Sequence, residues 1–294
     1  MNILVTGGRG QLGRDCTRVL KEKADVLALS PSEMDITSQE QIEYVFRRFR
    51  PAVVINCAAY TRVDQCETEL EPCHRVNSLG PELLARQCRR DRCRLVHIST
   101  DYVFSGDRPV PTPYTEDDPV GPLSAYGRSK LEGEEAIRRI LDNHLIIRTA
   151  WLYGMGGNNF LKTMLRLVLT DPEQTYRVVD DQYGSLTWTW RLAGQIASLV
   201  DSSLTGVIHA TAEGYSTWYA GARCFLEAMD VPHNLSPCST AEYPTPAPRP
   251  ANSILENRRL KEGSLNLMVN WQEDIRRFAR QFRQDLIEEI RRSS

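Results

Sequence analysis

The chain has 294 residues, enough for one large domain or two that share an interface. Its 41% hydrophobic and 25% charged residues suit a globular protein, and a net charge of -2 argues against a general nucleic-acid binder. No apolar run is long enough to cross a bilayer, so no membrane span is expected.

Met1-Asn2-Ile3-Leu4-Val5 runs directly into a strand and lacks the parts of a signal peptide, which predicts a cytoplasmic location. Gly7-Gly8-Arg9-Gly10-Gln11-Leu12-Gly13 follows, opening a helix that carries Cys16, Val19 and Leu20. Val26 to Leu29 is the next strand, and Ile42, Val45, Phe46 and Phe49 give helical spacing between Ser38 and Arg50. Val53-Val54-Ile55 is a third strand; a helical region through Leu83-Leu84 leads to a fourth at Leu95 to Ile98. A loop rich in Pro and Asp runs from Ser105 to Pro122, before a helix holding Tyr126 and Lys130 and a strand at Leu145-Ile146-Ile147. Apolar strands alternating with helices predict an α/β fold: a Rossmann-type, doubly wound parallel sheet. Residues 1–150 are expected to form this dinucleotide-binding domain, with later segments returning to it.

Residues 151–294 are expected to be mainly a smaller C-terminal α/β substrate-binding region. Helical spacing marks Phe160 to Val168 and Leu192 to Val200, and Val207-Ile208-His209 reads as a strand. Ala241 to Pro250 is irregular, and Ile275, Phe278, Phe282, Leu286 and Ile290 define an amphipathic C-terminal helix. The eight cysteines contain no C-x-x-C pair, and the five histidines show no ligand spacing, so no metal site is expected.

The glycine run has the strand–turn–helix context of a dinucleotide site. Glycines let the backbone approach a pyrophosphate, and the helix start offers it unpaired N–H groups. Ser30 follows the second strand where an acid would grip a ribose 2′-hydroxyl, and with Arg9 this leans towards NADPH over NADH. Asp35-Ile36 can reach adenine or ribose, or Asp35 can serve as a cap or turn residue. Small residues at Cys57 and Ala58, after the third strand, allow either a close cofactor approach or close strand packing. Asn77 can bond a neighbouring loop or the cofactor. Tyr126 and Lys130 lie one helical turn apart, and a nearby ammonium would favour phenolate and ease proton exchange. Thr100, at the fourth strand's end, would complete a donor pair for a substrate carbonyl, or satisfy a strand-end carbonyl.

Together these residues resemble the extended short-chain dehydrogenase/reductase superfamily and, within it, the dTDP-4-dehydrorhamnose reductase family. Further matching blocks are Asp35-Ile36-Thr37, Asn56 to Asp64, Ser99 to Phe104, Arg148 to Gly154, Asn159-Phe160, Asp181 to Gly184 and Arg249 to Ser253. The resemblance implies a dinucleotide bound by Gly7, Arg9, Gly10, Gln11, Leu12, Gly13, Asp35, Ile36, Ala58, Ala59, Tyr60, Asn77, Tyr126 and Lys130. It implies Tyr126 as general acid, Lys130 lowering its pKa, and Thr100 tuning the hydrogen bond to substrate. Thr100, Asp101, Trp151, Arg249 and Asn252 would meet the nucleotide sugar, with Ser253 nearby. On residue type alone, Trp151 reads as a core aromatic. Some relatives hold magnesium at a carboxylate-lined dimer contact. Here only Asp15 stands near the first such position and Thr187-Trp188-Thr189-Trp190 offers no acid, so that metal is not expected. Leu186 stands where the family has Pro.

The implied activity is NAD(P)H-dependent reduction of the C4 ketone of dTDP-4-dehydro-L-rhamnose, with a homodimer as the family expectation. One alternative is a reductase or epimerase acting on another nucleotide sugar. Another is a non-catalytic NADP-binding subunit like the regulatory subunit of methionine adenosyltransferase.

Overall fold

The apolar triplet after Met1 forms β1 (Asn2–Thr6), and the glycine run turns the chain into α1 (Gln11–Leu20). The structure, a computed structural model, describes residues 1–293. Next come β2 (Asp25–Leu29), α2 (Gln39–Phe49) and β3 (Val53–Asn56). The Ser38 hydroxyl starts α2 by accepting the Gln41 N–H, and Arg50, left-handed at φ 50°, ends it. α3 (Leu70–His74) continues through a π-helical stretch at Arg75–Leu79 into α4 (Gly80–Asp91). β4 (Arg94–Thr100), α5 (Ala125–Ile140) and β5 (His144–Thr149) complete the expected alternation.

The remaining chain alternates very short strands with helices. It runs β6 (Leu152–Tyr153), α6 (Phe160–Thr170), β7 (Thr175–Val179), β8 (Tyr183–Gly184), β9 (Thr187–Trp188) and α7 (Thr189–Leu199). Then follow β10 (Gly206–His209), β11 (Ser216–Thr217), α8 (Trp218–Ala228), β12 (Asn234–Cys238), α9 (Arg258–Glu262) and α10 (Trp271–Ser293).

The main sheet is six-stranded, in the order β2-β1-β3-β4-β5-β10, and every pairing is parallel. The order reverses between β1 and β3, which opens a crevice at their carboxyl ends. Alternation along each strand feeds two cores. Ile3, Val5, Val53, Ile55, Leu145 and Ile147 face α1 and α7, whereas Leu4, Val54, Leu95 and Ile146 face α2, α4 and α5. Each such aliphatic side chain contributes roughly 1.5–3 kcal/mol on burial. The sixth strand and α7 both come from beyond residue 150, so the later chain completes the sheet layer.

A third core joins α6, α8 and α10 through Tyr153, Leu165, Trp188, Phe225, Phe278 and Leu286. α10 buries Ile275, Phe278, Leu286 and Ile290, the stripe expected from their spacing. Leu186 is fully buried in the same core and lies against Gly221. Among the described residues, no helix is long and apolar enough to cross a membrane.

Candidate active site

The carboxyl ends of β1, β3, β4 and β5 open into a cavity of about 760 Å³. Its floor at one end is the glycine turn. Gly7 takes φ 65°, and a Cβ there would stand 2.7 Å from the Ala58 nitrogen. A Cβ on Gly13 would collide with the Gly7 carbonyl. The turn is therefore as tight as backbone allows, and it aims the start of α1 into the cavity. No acidic side chain stands in the first turn of α1 to compete with an anion. Gly7, Gly10, Gln11, Leu12 and Gly13 line this end, with Asp35 and Ile36 on one side and Ala58, Ala59 and Tyr60 on the other. A cradle that any Cβ would fill, beside free helix N–H groups, fits the pyrophosphate of a dinucleotide.

Several residues expected at the site stand off this wall. Arg9 is solvent-exposed and lies 3.6 Å from Glu33. Asn77, fully buried, accepts the Tyr60 N–H at 2.8 Å and donates to the Tyr60 carbonyl and the Ser129 hydroxyl. It ties the loop after β3 to α5, the neighbouring-loop alternative. Arg249 forms a two-pronged pair with Asp64, both contacts at 3.0 Å. Asn252 donates to the Arg108 and Thr112 carbonyls and accepts from Ile254 N–H, which braces the loop after β4. Ser253 donates to the Tyr183 carbonyl. Apart from the exposed Arg9, these side chains are hydrogen-bonded to protein groups.

An acid does stand near the end of β2, three residues beyond Ser30. The turn at Pro31 brings the Glu33 carboxylate back to Ser30, where it accepts from the backbone N–H at 2.9 Å and the hydroxyl at 2.5 Å. These Ser30 bonds hold the Glu33 carboxyl below its usual range. Asp35 accepts the Thr37 N–H in a local turn while lining the cavity.

The other end of the cavity gathers Thr100, Asp101, Tyr126, Lys130 and Trp151. Ser124 caps α5 by accepting the Gly127 N–H, which sets Tyr126 and Lys130 on the helix's first turns. Thr100 donates to Asp101 at 3.0 Å, and its hydroxyl accepts the Tyr102 N–H. Burial pushes the Tyr126 phenol above its ordinary value, opposed by a hydrogen bond with Thr100. The expected lowering by Lys130 is absent from this arrangement. The Lys130 head group turns instead to the Ile98 carbonyl, 2.6 Å away, and lies 3.3 Å from His97 Nε2. Burial presses the Lys130 ammonium down to about 8, against opposing pulls from Glu134, Cys57 and Cys73. Burial lifts the Asp101 carboxyl to about 6, against hydrogen bonds with Ser253 and Thr100.

Trp151 follows β5 with φ 48°, an uncommon backbone for a bulky residue. Its indole stacks on that of Trp218, with centroids 3.6 Å apart and planes 9° from parallel. Trp218 opens α8 behind its Thr217 cap and donates its indole N–H to Gln182 at 3.1 Å. Both rings line the cavity. The sequence gives Trp218 only one local signal, an aromatic directly after a Ser-Thr cap.

Asp15 accepts a hydrogen bond from Thr189 at 2.6 Å, and among the described residues no group of His, Cys, Asp or Glu is arranged to hold a metal ion.

Comparison with known proteins gives a consistent picture. The sequence profile described as RmlD substrate binding domain matches residues 1–284. A dTDP-4-dehydrorhamnose reductase of Mycolicibacterium smegmatis is 41% identical over 92% of this chain and 83% of its own. A probable dTDP-4,6-dihydroxy-2-methyloxan-3-one 4-ketoreductase of Streptomyces antibioticus is 40% identical over 94% of each. The crystal structure of dTDP-4-dehydrorhamnose reductase from Bacillus anthracis str. Ames in complex with NADP superposes with a TM-score of 0.91. It is 36% identical and spans 94% of this chain and 98% of that one.

Proposed function

The chain belongs to the RmlD substrate binding domain family of oxidoreductases, and on that premise we propose that it reduces the C4 ketone of dTDP-4-dehydro-L-rhamnose to dTDP-L-rhamnose. The observation that carries this reading is the single cavity wall that joins a dinucleotide cradle to Tyr126, Thr100 and a tryptophan pair. Nicotinamide binding is supported by the glycine cradle and by the NADP complex of the Bacillus anthracis relative.

A reduced nicotinamide supplies the hydride to C4 of the sugar. The chain's own residues do the rest. Gly7, Gly10 and Gly13 with the α1 N-terminus hold the pyrophosphate. Tyr126 donates a hydrogen bond to the ketone oxygen, and Thr100 donates a second by turning its one hydroxyl hydrogen from Asp101 to the substrate, which stabilises the charge that develops there. Tyr126 then gives its proton to the alkoxide: the phenol O–H breaks and the product O–H forms. The indole face of Trp151 packs on the apolar side of the deoxysugar, with Trp218 supporting it. Sugar recognition falls to segments from residue 151 onward together with the end of β4.

The lean towards NADPH rests on Arg9 and on the lack of an acid directly after β2. Glu33 opposes it, because its carboxylate sits on Ser30 where a 2′-phosphate would need donors. Use of both cofactors is the expected outcome.

The test is an assay of purified protein with dTDP-4-dehydro-L-rhamnose and either NADPH or NADH, following loss of reduced cofactor. Oxidation that depends on the sugar supports the proposal. No oxidation with either cofactor, in conditions where a relative is active, would sink it. Another nucleotide-linked 4-keto sugar is the second reading, favoured by the Streptomyces antibioticus 4-ketoreductase. A substrate panel ranked by kcat/KM separates the two.

A further inference from the structure

One short segment holds both tryptophans of the cavity wall. Gly184, in β8, lies against Trp151: a Cβ there would stand 2.5 Å from Trp151 Cε2 and 2.7 Å from Cζ2. Two residues earlier, Gln182 takes the other indole, its Oε1 accepting the Trp218 N–H at 3.1 Å. Asp180 accepts the hydroxyl hydrogen of Thr217, the residue that caps α8 directly before Trp218. β8 and β11 pair antiparallel with Thr217 opposite Tyr183, so this grip is built on backbone. An indole N–H can only donate, which fixes the oxygen end of the Gln182 amide on Trp218. The amide nitrogen then donates to the Thr240 hydroxyl at 3.0 Å, and that hydroxyl donates in turn to Asp181 at 2.6 Å.

We propose that Gln182 is a positioning residue for the sugar: it fixes the Trp218 indole in one orientation against Trp151 and acts on the ligand only through that ring. This deepens the proposed function and rests on the reading of Trp151 and Trp218 as the sugar wall.

Stacking alone does not orient Trp218. A half-turn of an indole about its Cβ–Cγ bond leaves the ring in the same plane, so the near-parallel stack on Trp151 does not choose between the two placements. The hydrogen bond to Gln182 does choose. Gln182 is buried and lies outside the cavity wall, so the bond turns the one polar hydrogen of the ring away from the ligand. Trp218 then offers the cavity carbon alone, which suits the apolar side of a deoxysugar. The Thr240 and Asp181 bonds hold the Gln182 amide in turn, so the placement of Trp218 is anchored at the turn after β12.

The test pairs kinetics with two readings of the ligand-free protein. Gln182→Met removes both hydrogen-bonding groups at similar length. It should raise the sugar KM roughly threefold, the scale of one lost hydrogen bond, while kcat and the cofactor KM stay level. In a Trp218→Phe background, which has no indole N–H, the same change should add nothing. A general structural role would raise both KM values, or add equally in both backgrounds, and either result would overturn the proposal. Stacked indoles also couple their ultraviolet transitions, so the native chain should show a paired band in circular dichroism that weakens in Gln182→Met. Should that variant not fold, the native chain still decides. Its Trp218 indole N–H, assigned by nitrogen NMR against Trp218→Phe, should exchange slowly with solvent, and exchange as fast as in an exposed indole would overturn the proposal. The dichroism and exchange readings need no substrate. If both come out as expected without any turnover, the functional reading falls and the placement of Trp218 by Gln182 stands; turnover with an unmoved sugar KM in Gln182→Met sinks this proposal alone.

Discussion

Replacing Lys130 with Met is expected to stabilise the fold while removing activity. The side chain is 1% exposed, and its ammonium falls from an ordinary 10.5 to about 8. At roughly 1.4 kcal/mol per pH unit, carrying the cation at neutral pH costs on the order of 3 kcal/mol. Methionine removes that cost and fills similar space. It also loses the bond to the Ile98 carbonyl and the contact with His97, together worth about 1–2 kcal/mol. The net expectation near neutral pH is a gain of about 1–2 kcal/mol. The sign follows from linkage. The folded state binds the Lys130 proton less tightly than the unfolded state, so native stability rises as pH climbs from about 8 towards the unfolded value near ~10.4. The Met variant's advantage is therefore full below about pH 8 and gone, or reversed, above about pH 10.5. Urea unfolding of both proteins at about pH 7 and about pH 10.5 measures it. A variant that is destabilised equally at both values would refute the reasoning.

Other consequences are sharp enough to measure. Gly13→Ala would force a methyl group into the Gly7 carbonyl, costing about 1–3 kcal/mol and weakening dinucleotide binding; calorimetric titration with NADPH reads the loss, and unchanged affinity would contradict the cradle. Glu33→Gln removes a negative charge beside Ser30 and Arg9 and should raise the NADPH-to-NADH ratio of kcat/KM about three- to fivefold. Trp218→Ala removes the 3.6 Å stack behind Trp151, and a loss of about 1 kcal/mol should raise the sugar KM roughly fivefold while the cofactor KM stays level. Equal changes in both constants would point to general loosening of α8.

The sheet was legible because its inner strands are apolar on both faces: Leu4 and Val54 serve one core while Ile3, Val5 and Ile55 serve the other. The glycine turn was legible because its chemistry is local to one strand–helix junction. The later half was harder. Two-residue strands such as β6 and β9 are too short for any periodicity, and only long-range pairing defines them. Glu33 is not legible in the sequence because a turn, not strand spacing, brings it to Ser30. Arg249 and Asn252 carry good ligand chemistry, but Asp64 and the Arg108 and Thr112 carbonyls sit far from them in sequence and close in space. His97 lay inside the run Leu95-Val96-His97-Ile98, where a histidine reads as strand filling until its neighbours on β3 and α5 are known.

Hydride delivery to C4 with a proton from Tyr126 is the central claim, and isotope placement tests it most directly. The protein is incubated with dTDP-4-dehydro-L-rhamnose and NADPH deuterated at the transferable position, and the sugar is read by NMR. The account predicts one deuterium at C4 of dTDP-L-rhamnose, and a loss of turnover of roughly 10²-fold or more in Tyr126→Phe with the same labelling in any residual product. Deuterium elsewhere on the ring, an unlabelled epimer, or full activity in Tyr126→Phe would contradict it.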